Sequence, residues 1–247
     1  MAGMNATVHY TVLAGALALW LTVSRVSAAA STLSPDAWRQ ITSRLQDGDL
    51  IFIRQANPIF LRVAETTRSW ETHVGIIFSG PDGSWLVAES RFPRSTITPL
   101  RKFIARSEHG RCTITRYHAG LSPEEKQRLR QSAGARMGKW YNLGFNYDSP
   151  RLYCSKLVFD AYREAAGVPV GTLTTFRQLL AENPRAPLAF WRAWFWGRIP
   201  WDRRCVTTTS ELKSPEFLTV YDSTVETKPG KAEMRRPNGT PHANRGR

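Results

Sequence analysis

Apolar positions along this chain fall into short runs and helical stripes, and their spacing predicts an alternation of strands and helices. The runs Leu50-Ile51-Phe52 and Val74-Gly75-Ile76-Ile77-Phe78 are too short for ordinary helices and read as buried strands. Trp85-Leu86-Val87-Ala88-Glu89-Ser90 follows a Pro81-Asp82-Gly83 turn, in which Pro presets φ and Gly admits positive φ. The second and third runs therefore form a hairpin, in which Glu89 can lie beside His73 on the core-facing side. Residues 113–117 alternate as a further strand. Helices are predicted from Ser34 to about Gln46, after Asn57-Pro58 with Phe60, Leu61, Val63 and Ala64 as the apolar face, and from Pro99 to Ile104. Another opens at Ser122-Pro123-Glu124-Glu125, a Ser cap with Pro first and Glu third, and runs to about Met137. The last spans about Tyr153 to Ala166, closed by Gly167 with Pro169 beyond. A small antiparallel sheet packed against helices is an α+β arrangement.

The two ends of the chain differ from this pattern. Residues 10–23 are nearly all apolar and lead to the small-residue run Ser27-Ala28-Ala29-Ala30, as in a cleaved secretory signal over residues 1–30. The run is short for a membrane span, so an uncleaved anchor is the lesser reading, and no Lys or Arg precedes it. From about Thr224 the chain is rich in Lys, Pro, Gly, Asn and Arg, and 223–247 reads as a disordered basic tail behind one domain of 31–222. The expected location is periplasmic or secreted. The formal net charge of +14 suggests either an acidic partner (an anionic membrane surface or envelope polymer) or an arginine-rich solvated surface. The basic residues are scattered and no nucleic-acid-binding motif occurs, so no nucleic acid partner is expected.

Candidate chemistry centres on Cys154, in Leu152-Tyr153-Cys154-Ser155-Lys156 at a helix start. The helix dipole and unpaired N–H groups there favour thiolate. A thiol nucleophile needs a base, and the base an orienting partner. His73 and Glu89 supply both, with His109 and His118 as rival bases and Glu71 and Asp148 as rival carboxylates. Tyr153 and Tyr141 are candidates to line the pocket or to bond a developing oxyanion, while Asp49 shapes a turn. The bland reading of Cys154 is a small buried helix residue. Cys112 and Cys205 read as buried small residues, with a disulfide between them left open. No His/Cys pair has ligand spacing on one helix, and thiol hydrolysis requires no cofactor.

The motifs Gly48-Asp49-Leu50-Ile51-Phe52, Thr72-His73-Val74-Gly75-Ile76, Val87-Ala88-Glu89 and Tyr153-Cys154-Ser155, in that order, resemble the circularly permuted branch of the NlpC superfamily of papain-like cysteine hydrolases, in its YiiX/YebB-like group. The resemblance runs from about Gln46 to Val168 and continues more weakly through Ile199-Pro200-Trp201 and residues 214–218. It implies a permuted papain-like fold with Cys154 as nucleophile, His73 as base and Glu89 as orienter. It also implies amide hydrolysis through a thioester, with cell-envelope peptides as the first-guess substrate. Where the group often carries an acidic residue, this chain has Lys156, expected to be solvated and to point away from the thiol.

Two alternatives stand beside that expectation. The same site could act on lipid or acylated substrates, which would suit the aromatic and arginine-rich residues 190–201 as a membrane-interface or acyl-groove element. The bland reading of that segment is an aromatic helix packed over the sheet. A chain with a dormant site could instead bind an acidic envelope polymer without catalysis.

Overall fold

The computed structural model describes residues 33–226; the signal expected over residues 1–30 and the part of the expected tail beyond 226 lie outside the described residues. In chain order the elements are α1 (Pro35–Thr42), β1 (Leu50–Ile53), α2 (Pro58–Thr67), β2 (His73–Ser79), β3 (Trp85–Glu89), β4 (Thr96–Pro99), α3 (Leu100–Ile104), β5 (Cys112–Tyr117), α4 (Pro123–Gly134) and α5 (Cys154–Ala166). They continue with β6 (Thr174–Thr175), α6 (Phe176–Ala181), α7 (Leu188–Trp194), β7 (Arg204–Cys205), α8 (Thr208–Leu212), β8 (Phe217–Asp222) and α9 (Ser223–Glu226). The last helical turn occupies the point at which the sequence pattern starts the tail.

Local chemistry sets the helix starts. Asn57 Oδ1 accepts the Ile59 N–H at 3.0 Å with Pro58 in the first turn. Ser122 and Glu125 close a reciprocal capping box, and Gly167 ends α5 with φ of 68°. α1 stops at Thr42, short of the expected Gln46, because the Gln46 N–H turns instead to Asp49 Oδ2 at 2.8 Å. Arg116 grips the same Asp49 at 2.7 and 2.8 Å, so this buried carboxylate is a turn-former, as expected.

Six strands make one antiparallel sheet in the order β4-β3-β2-β1-β5-β8. Side chains alternate across it. Leu50, Phe52, Val74, Ile76, Phe78 and Ala88 face α4 and α5, while Ile51, Ile53, Ile77, Val87, Cys112 and Ile114 face α1 and α3. Covering both faces explains why β1 and β2 read as continuous apolar runs. Each fully buried Leu, Ile or Phe among them stabilises the fold by roughly 1.5–3 kcal/mol.

A third cluster, Phe176, Leu180, Ala186, Trp191, Ile199 and Cys205, packs α6, α7 and the small β6–β7 sheet together, with Val63 of α2 against it. The aromatic segment is therefore mainly core: Trp191 is buried, and its Nε1 donates to Thr66 Oγ1 at 2.8 Å. Only Trp196 and Trp201 of that segment's aromatics are exposed. All three cysteines are free; Cys112 and Cys205 lie in different clusters, so the disulfide left open by the sequence does not form.

Candidate active site

Register places the base and its carboxylate. Antiparallel pairing sets Ile76 opposite Ala88 and Val87 opposite Thr98, so His73, Gly75, Glu89 and Thr98 share one face of the sheet. Gly75 presents no side chain there, and a Cβ on it would come within 2.4 Å of Val87 Cγ1 and 3.3 Å of Phe103. His73 and Glu89 meet diagonally across this space, with Nε2 to Oε2 at 2.6 Å and both side chains buried. Arg106 holds both Glu89 oxygens, at 2.7 and 2.8 Å, and the Thr98 hydroxyl donates to Oε1 at 2.5 Å. Phe103 stacks on the imidazole with ring centroids 5.4 Å apart. Arg106, Thr98 and Phe103 carry no motif, and their sequence separation from Glu89 hides them until the fold is known.

The charges of this pair are well defined. Burial pushes Glu89 upward, but the hydrogen bond and charge of His73, the Arg106 guanidinium and the Thr98 hydroxyl outweigh it and hold the carboxyl at about 2. Burial likewise lowers His73 below 6.5, against the raising effect of Glu89. At neutral pH the pair is thus carboxylate and neutral imidazole. With Nε2 committed to Glu89, Nδ1 is the remaining ring nitrogen, and it has no partner.

Cys154 is the first residue of α5, on the other side of the strand end that His73 begins. Its sulfur faces the N–H groups of Ser155 and Val74, the latter one peptide bond from His73. The buried Tyr141 hydroxyl faces the thiol too and has no hydrogen bond of good geometry. The thiol and His73 are not hydrogen-bonded to each other in this state. Contrary to the expectation from the helix start, burial and then the nearby Glu211 push the thiol up to about 12, overriding the N–H groups and Tyr141. The resting sulfur is a thiol.

Tyr153 lines the same hollow as Cys154 but spends its hydroxyl on the Val206 N–H at 3.1 Å. The remaining candidates fall away from this centre. His109 and His118 are exposed, the latter beside Glu216, and Asp148 pairs with Arg204 on the surface. Lys156 is not the solvated residue expected: it is buried, with its ammonium on the Ser149 carbonyl and over the Tyr147 ring.

These features agree with what the chain resembles. The family described as permuted papain-like amidase, YaeF/YiiX, C92, matches residues 44–221. The chain belongs to this family. It is 28% identical over 175 residues to the uncharacterized protein YiiX of Escherichia coli K12, covering 71% of this chain and 85% of that one. The crystal structure of yiiX from Escherichia coli O157:H7, described there as a metalloprotein, superposes with a TM-score of 0.68 at 28% identity, over 72% of this chain and 98% of that one. The permuted papain-like α+β fold is therefore that of the family, with the His, Glu, Cys order along the chain.

A further residue near the site escaped the sequence reading. Glu211 of α8 is fully buried with both carboxyl oxygens unpartnered, near the buried Glu71, whose own oxygens take the Thr209 (2.8 Å) and Ser69 hydroxyls. Burial, then the Glu71 charge, raise Glu211 well above 4.5. The unfolded chain loses this proton near pH 4.5 while the native chain keeps it, so native stability falls as pH rises above that value, by roughly 1.4 kcal/mol per unit until the folded group ionises. Glu211→Gln is expected to remove that slope: urea titrations should show little difference from wild type at pH 4 and a growing gain for the variant toward pH 7. A pH-independent difference would contradict this account.

Proposed function

We propose that this chain is an exported cysteine amidase in which Cys154, His73 and Glu89 act together. The observation that carries the reading is the orphaned Nδ1 of a buried, neutral His73 whose other nitrogen is fixed by an ionised Glu89. That is the tautomer a general base requires: Nε2 donates to the carboxylate, and Nδ1 is free to accept. Catalytic hydrogen bonds in resting sites are commonly open and tighten with substrate bound.

In the proposed reaction Cys154 Sγ attacks the amide carbonyl carbon as its proton passes to His73 Nδ1. The tetrahedral oxyanion is met by N–H groups at the start of α5 and by the Tyr141 hydroxyl. His73 returns the proton to the leaving nitrogen as the C–N bond breaks, leaving a thioester. Water, deprotonated by His73, then attacks the thioester; the C–S bond breaks and Cys154 regains its proton. The net change is amide plus water to carboxylic acid plus amine. Glu89 stabilises the imidazolium at each step, and Arg106 keeps Glu89 ionised.

The Escherichia coli yiiX structure is described as that of a metalloprotein. Among the described residues of this chain no three His, Cys, Asp or Glu side chains come together to hold a metal ion, and the Glu71 oxygens are taken by hydroxyls. This donor set does not fit a metal centre, and the mechanism runs through the chain's own groups. Export through residues 1–30 belongs to the same proposal, supported by the apolar run and the small residues that follow it.

A pH profile tests the proposal. Because His73 lies below 6.5 and the thiol at about 12, kcat/KM on an amide should rise along one acid limb centred below pH 6.5 and stay flat to pH 9. A midpoint at pH 8 or above would show that thiol ionisation, not His73, controls the rate.

A further inference from the structure

The outer side of α7 is not explained by packing. Leu188, Ala189, Arg192 and Ala193 fall at i, i+1, i+4 and i+5, one face of the helix, and Trp196 follows in the turn that closes it; all five are exposed. The opposite side carries Trp191 into the cluster shared with Phe176 and Leu180. Trp196 is 66% exposed, Leu188 38%, and Trp201, further along the same segment, 37%. The indoles that turn inward spend their N–H groups within the protein, Trp191 on Thr66 Oγ1 at 2.8 Å and Trp194 on the Leu143 carbonyl at 3.1 Å. Those of Trp196 and Trp201 have no acceptor among the described residues.

The closing turn makes Trp196 a costly choice. The Gly197 N–H donates to the Arg192 carbonyl at 2.7 Å and the Trp196 N–H to the Ala193 carbonyl at 3.2 Å, the paired bonds of a Schellman end. That end holds Trp196 at φ of 55°, a left-handed conformation that Gly adopts freely and a bulky residue does not. Neither the backbone nor the core therefore calls for an indole at this position, and its use points to a partner outside the chain.

Charge narrows the partner. Residues 188–201 contain Arg192 and Arg198 and no acid, and both arginines are exposed without an ion pair among the described residues. Asp202, which follows, is paired with Arg177 at 3.1 Å. A second copy of the chain would set one net-positive face against another, which electrostatic complementarity disfavours. An acidic polymer would pair the arginines but leave Trp196, Trp201 and Leu188 in water. An anionic bilayer satisfies both groups, because indoles settle at headgroup depth and arginines meet lipid phosphates there. We propose that this face docks the protein on an anionic lipid bilayer, with Trp196 and Trp201 among the headgroups and Arg192 and Arg198 against their phosphates. The proposal goes beyond the amidase reading and does not depend on it.

The test floats the full chain with vesicles of phosphatidylcholine, with or without one-third phosphatidylglycerol. Wild type should bind the anionic vesicles about tenfold or more tightly than the neutral ones, and the difference should shrink in high salt. Brominated acyl chains in the anionic vesicles should quench its tryptophan fluorescence. Trp196→Ser/Trp201→Ser should lose most of that quenching and bind at least about tenfold more weakly, and Arg192→Glu/Arg198→Glu should weaken binding at least as much. All four side chains are exposed, so circular dichroism and melting should match wild type in both variants. Equal binding to both kinds of vesicle, or none to either, overturns the proposal. So does unchanged binding by both variants, which would place the contact elsewhere on the chain. A loss in the arginine variant alone, with quenching intact in the tryptophan variant, reduces the effect to adsorption of a basic protein and also overturns it. Self-association that vanishes in the tryptophan variant, without vesicle binding by wild type, would assign the face to a second copy instead.

Discussion

Replacing Cys154 by Ala should abolish amide turnover, lowering kcat by a factor of ~10³ or more, while leaving the chain folded. The thiol is small and buried between α5 and β2, so its loss leaves only a minor void. Circular dichroism and thermal melting should match wild type closely. Cys112→Ala and Cys205→Ala remove thiols that are just as buried and are likewise held at about 12, but Cys112 lies in β5 and Cys205 in β7, neither at a helix start. Their turnover should remain within a few-fold of wild type. Burial and raised pKa are common to all three cysteines, so the contrast isolates what is particular to Cys154: a helix-start position, the Val74 and Ser155 amides and the Tyr141 hydroxyl.

Glu89→Gln should produce the second large effect, and on two readouts. The Gln side chain can still meet His73, but its carbonyl or amide end no longer stabilises an imidazolium, and the amide end favours the wrong tautomer. The corresponding exchange in a serine-protease triad lowers kcat about 10⁴-fold, and a loss of 10²–10⁴ is expected here. The substitution also strips Arg106 of its carboxylate charge. Removing one partner of a buried ion pair costs roughly 3–5 kcal/mol; Arg106 is about a quarter exposed, so the lower end of that range applies. The acid limb of the pH profile should move as well, since His73 loses the charge that raises it and Arg106, unopposed, lowers it further. A kinetic loss without any shift of that limb would make Glu89 a purely structural residue.

Much of this site was legible because strand alternation and turn chemistry are local. The Pro81-Asp82-Gly83 turn and two apolar runs sufficed to put Glu89 on the same face as His73, and the register bears it out. Ser122 and Glu125 announced their helix through a three-residue spacing. What stayed hidden depends on distant pairing. β4 is only four residues long, and β6 and β7 two each, too short for periodicity to register. Arg106 reaches Glu89 only after the chain passes through β4 and α3, and Glu211 reaches the thiol from a five-residue helix without a motif. The thiol's charge state was misjudged for a related reason. Helix position is visible in sequence, whereas the desolvation that outweighs it is a property of the assembled core. Lys156 was misjudged likewise, because the carbonyl that draws it inward belongs to a loop whose path the sequence does not display.

The most direct test of the central claim is to trap the acyl-enzyme. Wild-type chain mixed with an activated acyl ester and quenched in acid should gain the mass of one acyl group. Peptide mapping should place it on Cys154, and neutral hydroxylamine should release it, as expected of a thioester. The same mixture with His73→Ala should acylate far more slowly, and Cys154→Ala should gain nothing at that position. Acylation of Cys112 or Cys205 at the rate seen for Cys154, or steady amide turnover by Cys154→Ala, would contradict the account.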